Sequence, residues 1–233
     1  MERLDKVISN QTGYSRKEVK ELLKQKRIKV NDNSNCKPEM KVDSTKDKIE
    51  IDNQYLEIQK HVYLILNKPK GYVSATEDRN DQTVLDLISE EYRHRNLFPA
   101  GRLDKDTTGM MVITDDGEFA HDILSPKKHV EKEYLVEIDI PLTEEMQEGF
   151  LKGVLLNDGI CKASTLEIID TYTAKVTLTE GRYHQIKRMF GMYKAKVIEL
   201  KRIRMGKLYL PENLEEGQFR ELQIEEIEKI KQL

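Results

Sequence analysis

At 233 residues and 27.3 kDa, the chain has room for one large domain or for a small domain plus a medium one, so two units are expected. Hydrophobic residues make up 38% and charged residues 35%, and no apolar run approaches the roughly 20 residues of a membrane span, which excludes a helical membrane protein. The formal net charge of −3 taken as an average argues against a nucleic-acid partner, but it hides segregation. Residues 1 to 30 hold nine Lys or Arg against four Asp or Glu. Gly181 to Arg204 carries Arg182, Lys187, Arg188, Lys194, Lys196, Lys201, Arg202 and Arg204 against the single acid Glu199. Solvated helix faces produce such stretches too, so their pattern has to decide. Met1 to Asp5 lacks the basic-then-apolar order of a secretory leader, and Cys36 and Cys161 make no disulfide framework. An intracellular, cytoplasmic protein is the expectation.

In chain order, Leu4, Val7 and Ile8 recur at helical spacing, and Ser15-Arg16-Lys17-Glu18 has the Ser-x-x-Glu form of a capping box. The helix it opens carries Val19, Leu22 and Leu23 on one stripe, with Lys17, Lys20 and Lys24 away from it. Ile28 and Val30 alternate with polar residues as a short strand, Asn31 to Asn33 turns the chain, and Lys48 to Asp52 reads as another strand. Two short helices and a small sheet with one basic face resemble the S4-type RNA-binding domain over residues 1–58. A phosphate backbone needs closely spaced cations on a rigid face, which this helix and Lys26-Arg27-Ile28-Lys29 can offer.

Residues 59–62 read as a linker, and a second domain is predicted over 63–233. It opens on the apolar strand Val62 to Leu66. Further strands are predicted at Met110 to Thr114, Tyr134 to Ile140, Thr165 to Ile169, Lys175 to Leu178 and Val197 to Leu200. Helices are predicted at Val84 to Tyr92, Glu118 to Leu124, Glu144 to Leu151, His184 to Tyr193 and Ile224 to Leu233. Most links are too short for a parallel crossover, so the fold class is α+β with a mixed, largely antiparallel sheet.

Several chemistries find no support. There is no G-x-G-x-x-G, no phosphate-cradling P-loop and no G-x-S-x-G, and the five histidines and two cysteines lack metal-ligand spacing. No cofactor and no metal are implied; Asp115-Asp116-Gly117 reads as a turn before a helix rather than as a cation site. What stands out is Gly101-Arg102-Leu103-Asp104-Lys105-Asp106-Thr107-Thr108-Gly109, a glycine-bounded polar loop that runs straight into an apolar strand. Loops on the ends of buried strands are where catalytic groups collect. A turn held by Asp and Thr side chains fits the same residues.

That loop closely resembles the signature of the pseudouridine synthases of the RsuA type. Lys68-Pro69-Lys70-Gly71, Glu133-Tyr134 and Glu180-Gly181-Arg182-Tyr183-His184-Gln185-Ile186-Lys187-Arg188-Met189-Phe190 resemble three further motifs of that family, so the similarity spans residues 63 to 220. The resemblance implies that Asp104 is the catalytic aspartate, acting on the ribose of a target uridine either as a nucleophile or as a base. Lys187 matches the family cation that holds this carboxylate ionised, and Tyr134 the family tyrosine that stacks on the uracil. Arg102, Arg182, His184 and Lys68, with Lys17, Lys20 and Lys24 of the head, are the expected RNA contacts. Lys68 and Gly71 also suit a tight turn beside the site.

Together with the S4-type head, the resemblance implies isomerisation of one uridine of 16S rRNA, the family's uridine 516, within a small-subunit assembly intermediate. No cofactor and no membrane are involved, and a monomer is expected. A large-subunit (23S) rRNA target and a non-catalytic rRNA-binding assembly factor are the alternatives. The intact set of Asp104, Tyr134 and Lys187 argues against the second.

Overall fold

The computed structural model describes residues 1–92, 94–125 and 128–232. They divide into two compact units, Met1–His61 with Ser89–Leu97, and Val62–Ile88 with Phe98–Leu233. The break after His61 falls inside the expected linker. The placement of Ser89–Leu97 with the first unit differs from a continuous second domain over 63–233. Its reason is local: the Arg95 guanidinium donates to Gln11 Oε1 and to the Gln59 carbonyl, each at 2.9 Å.

The first unit runs β1 (Glu2–Arg3), α1 (Leu4–Gln11), α2 (Arg16–Lys24), β2 (Ile28–Val30), β3 (Lys41–Val42), β4 (Ile49–Ile51) and β5 (Gln54–Tyr55). Helix α2 starts where the capping box places it. Ser15 Oγ accepts from the Glu18 amide at 3.3 Å, and the Glu18 carboxylate accepts from the Ser15 amide at 2.7 Å. The apolar stripes of α1 and α2 close over Ile28, Val30 and Ile49 into one core. Each such side chain contributes about 1.5–3 kcal/mol of burial, which holds the opposite face of α2 outward. Lys17, Lys20 and Lys24 are therefore exposed, with Lys24 paired to Glu21. Arg27 is less available than its position suggests, because Nε and Nη2 both donate to Asp52 at 2.6 Å.

The second unit begins with β6 (Tyr63–Lys68), followed by two short 3-10 helices, Val84–Leu87 and Glu90–Tyr92, the latter within the segment that clusters with the first unit. One helix over 84–92 is the sequence expectation; Ile88, buried and extended, interrupts it. Then come β7 (Phe98–Pro99), β8 (Thr108–Thr114), α3 (Gly117–Leu124), β9 (Lys132–Ile138), α4 (Glu144–Lys152), β10 (Leu155–Leu156), β11 (Gly159–Ile160), β12 (Thr165–Ile168) and β13 (Thr173–Leu178). The chain ends with α5 (Gln185–Gly191), β14 (Val197–Met205), β15 (Leu208–Tyr209), β16 (Phe219–Glu221) and α6 (Ile224–Lys231).

Nine strands form one sheet, in the order β12-β13-β9-β14-β8-β6-β16, with β15 beside β14 and β7 beside β8. All its pairings are antiparallel except β14 with β8. Strand β14 continues five residues beyond the expected Leu200, through the charged run Lys201 to Arg204, because β9 and β8 flank it on both sides. One core packs α4 and α5 on β9 and β13, through Phe150, Phe190, Met189, Val136 and Val176. A second packs α3 and α6 around Met110, Val112 and Met205. Asp115 and Asp116 take the turn role: Asp115 accepts from the Val62 amide, and Asp116 caps α3 by accepting from Glu118 and Phe119 at 3.0 Å.

Candidate active site

The loop Gly101 to Gly109 is fixed from below by strand chemistry. Strand β6 pairs with β8 so that Lys68 faces Gly109, and β14 runs parallel to β8 with Arg202 opposite Gly109. Gly109 sits at φ +99, and a Cβ there would collide with the Arg202 carbonyl oxygen, so only glycine lets the two strands meet at this point. Lys68 is fully buried. Its ammonium donates to the carbonyls of Pro69, Asp104, Lys105 and Thr107 at 3.1, 3.0, 3.3 and 2.8 Å. From the other side Ser74 clamps the loop, its hydroxyl donating to the Leu103 carbonyl at 2.7 Å and accepting from the Leu103 amide at 2.9 Å. The Gly71 amide donates to the Lys105 carbonyl at 2.8 Å.

So held, the loop presents the half-buried carboxylate of Asp104 to the segment leading into α5. Lys187 Nζ lies 3.2 Å from Asp104 Oδ2 and 2.5 Å from Asp106 Oδ1. His184 Nε2 lies 3.4 Å from Asp104 Oδ1. Burial alone lowers the pKa of Lys187, but its bonds to Asp106 and Asp104 outweigh that and hold it above the ordinary lysine value. Burial likewise raises Asp106, and the hydrogen bond from Lys187 overrides it downward. For Lys68, burial wins over the nearby Asp106 and Asp104 charges, and its pKa is lowered to about 8.

The approach to α5 is itself built. Glu180 Oε1 accepts from the Lys162 amide at 3.0 Å and from Gln185 Nε2 at 2.8 Å, while Gln185 Oε1 accepts from the Arg182 amide at 2.9 Å. His184 takes a left-handed conformation at φ 49 as the residue before the helix. The predicted start at His184 is therefore one residue early.

The structure brings Asp104, Lys187 and His184 together. Tyr134 lies in the cross-strand row of Gly109, at the base of the loop, since on β9 it pairs with Arg202, which pairs with Gly109. Its half-buried ring packs against the core under α4 and α5. Arg102 is exposed on the loop, with no hydrogen bond or ion pair among the described residues. One expected RNA contact is corrected, and another is engaged within the protein. Lys68 is enclosed and committed to backbone carbonyls, so it shapes the loop instead of touching RNA. Arg182 stays partly exposed, its guanidinium donating to the carbonyls of Gly159 and Ile160 at 3.1 and 2.6 Å and lying 3.3 Å from Glu180.

The second basic segment is also less cationic in space than in sequence. Arg188 pairs with Asp158 at 2.5 Å, Arg202 is buried and donates to the Met110 carbonyl, and Arg204 pairs with Glu131 and Glu133. Only Lys194 and Lys196 of its eight cations are exposed. Sequence reasoning missed Ser74, Asp106 and Gln185 as parts of the site. Gln185 and Asp106 stood inside quoted motifs, but nothing in the sequence near Ser74 pointed to Leu103.

Residues 62–191 match the RNA pseudouridylate synthase family, and residues 2–49 match the S4 domain. The chain is 42% identical over 232 residues to an uncharacterized RNA pseudouridine synthase of Aquifex aeolicus (strain VF5), covering 99% of this chain and 97% of that one. It is 40% identical over 228 residues to the ribosomal small subunit pseudouridine synthase A of Pasteurella multocida (strain Pm70), covering 97% of each. A crystal structure of a pseudouridylate synthase superposes with a TM-score of 0.70 at 37% identity, covering 99% of this chain and 100% of that one. A loop whose Asp104 and Asp106 share one lysine, on the end of a central strand and following an S4 domain in the sequence, is thus found in a chain that belongs to the RNA pseudouridylate synthase family.

Proposed function

We propose that this pseudouridine synthase isomerises one uridine of 16S rRNA, the family's uridine 516, with Asp104 as its catalytic residue. The observation that carries the assignment is the Lys187 ammonium 3.2 Å from the Asp104 carboxylate, at the tip of a loop braced by Lys68 and Ser74. In the reaction the N1 to C1′ glycosidic bond breaks and a C5 to C1′ bond forms. The C5 proton leaves and N1 takes one up, so atoms and electrons balance without a cofactor. Asp104 acts at the ribose and must be ionised to do so. A carboxylate enclosed by substrate tends to take up a proton, which the paired ammonium opposes. Tyr134 is assigned to the uracil face, and Arg102 to the displaced RNA strand.

The glycosidic bond of a paired or stacked uridine is out of reach, so the nucleotide has to be flipped out at a cost of a few kcal/mol. Phosphate contacts from the exposed lysines of α2 offset part of this. The choice of the small-subunit RNA is supported by the near-full-length identity to a relative named for that subunit. The assay is tritium release from C5-labelled small-subunit and large-subunit transcripts, with pseudouridine mapping in rRNA from cells with and without the protein. A single small-subunit position that loses its pseudouridine is the expected result. Loss at a large-subunit position would overturn the target, and no change at any position would overturn the activity on rRNA.

A further inference from the structure

Beside the Asp104 carboxylate lies an aromatic stack whose outer ring, that of Tyr183, has none of the roles above. The rings of Tyr183 and His184 are stacked, with centroids 3.8 Å apart and planes inclined by 18°. The inner ring, His184, is the one whose Nε2 stands 3.4 Å from Asp104. The outer ring is 72% exposed. A tyrosine so open to water has no burial to hold it, yet its backbone is fixed. The Tyr183 carbonyl accepts from Arg188 Nη1 at 3.2 Å, and the preceding amide is held by Gln185. The left-handed His184 then turns its ring under that of Tyr183. The result is a flat aromatic face open to solvent at the rim of the site.

We propose that the outer face of Tyr183 receives the base of the nucleotide adjacent to the target uridine. Unpaired bases are bound by stacking on aromatic side chains, whatever the base, because each has a π-face. Flipping the target out removes one stacking partner from its neighbour, and a ring already stacked at 3.8 Å, close to the roughly 3.4 Å step between stacked bases, replaces it. Tyr183 is then a substrate-binding residue that fixes how the flipped nucleotide enters, with His184 as its support. The inference rests on the reading of Asp104 as the catalytic group.

The test measures KM on the rRNA transcript from which the wild-type protein releases tritium. Tyr183→Ala is expected to raise KM about tenfold or more, the size of losing one base stack, while Tyr183→Trp keeps it within about threefold. An abasic nucleotide at one of the two positions flanking the target should raise KM for the wild type and add little for Tyr183→Ala, because both changes remove the same stacking interaction. Since Tyr183 is exposed, the variant folds, which its melting temperature checks. A KM for Tyr183→Ala within about twofold of wild type, or effects that multiply at both flanking positions, overturns the platform. Asp104→Asn on the same transcript separates the two readings. An active Asp104→Asn overturns the site and the platform together, whereas an inactive one beside a Tyr183→Ala of wild-type KM overturns the platform alone.

Discussion

The ammonium of Lys187 stands 3.2 Å from the carboxylate of Asp104, across the gap between the loop that feeds β8 and the helix α5. Neither group meets the other unless the sheet first sets the loop before β8 and the start of α5 at the same end. If the pair serves the reaction, Asp104→Asn, which keeps size and removes charge, is expected to abolish pseudouridine formation while RNA affinity changes less than about tenfold, about 1.4 kcal/mol. Tritium release above about a hundredth of wild type would remove Asp104 from the mechanism.

Lys187 is shared, and Asp106 holds it the more closely, at 2.5 Å. Lys187→Met should lower turnover at neutral pH by roughly 10²–10³-fold, the loss usual for one preorganised electrostatic partner. Asp106→Asn leaves the ammonium to Asp104 alone, and turnover should stay within about tenfold of wild type. Turnover of Lys187→Met within about threefold of wild type at saturating RNA would reassign Lys187 to a phosphate contact.

Lys68 gives the loop a pH limit. With its pKa lowered by burial to about 8, its ammonium is lost from beneath the Asp104 and Thr107 carbonyls as pH rises through that value, and turnover should fall there. The stability sign is opposite. The folded chain binds this proton less tightly than the unfolded one, whose lysine titrates near 10.5, so the group's contribution to stability rises between about pH 8 and 10.5. A fall in turnover without a matching fall in melting temperature from this group is expected, and Lys68→Met should be poorly active at every pH. Unchanged wild-type turnover between about pH 7 and 9.5 would show that the loop keeps its shape without the charge.

Tyr134 packs its ring on the core while lying in register with Gly109 through Arg202. Tyr134→Phe retains the ring and should bind RNA normally but lose most turnover if the hydroxyl takes the C5 proton. Tyr134→Leu should weaken binding as well, by about 1–3 kcal/mol for the missing stack. Equal and mild effects of the two would make Tyr134 a packing residue.

Lys17, Lys20 and Lys24 on the exposed face of α2 are expected to meet phosphates. Changing all three to Gln should reduce the slope of log affinity against log salt by roughly 0.7–0.9 for each phosphate that is no longer neutralised, with turnover at saturating RNA near wild type. Filter binding over a salt series measures the slope; an unchanged one would remove the head's basic face from RNA binding.

The two-unit plan, the capped α2 and its outward lysines were legible in the sequence because each depends on local periodicity and on a box of four neighbouring residues. The loop around Asp104 was legible as a string, and so were most strands of the large sheet. What the string did not contain is which charges face water. Lys68, Arg182, Arg188 and Arg202 are cations in sequence, but the first donates to loop carbonyls, the second to a hairpin, the third pairs with Asp158 and the fourth is enclosed between strands. Their partners are distant along the chain, and only the pairing of β6 and β14 with β8 brings some of them within hydrogen-bonding reach. The same holds for Ser74 on Leu103 and for the 3.4 Å approach of His184 to Asp104. Residue type determined which groups were able to ionise; sheet register and the left-handed turn at His184 decided which of them stand together, because hydrogen bonds and ion pairs require proximity that sequence spacing does not encode.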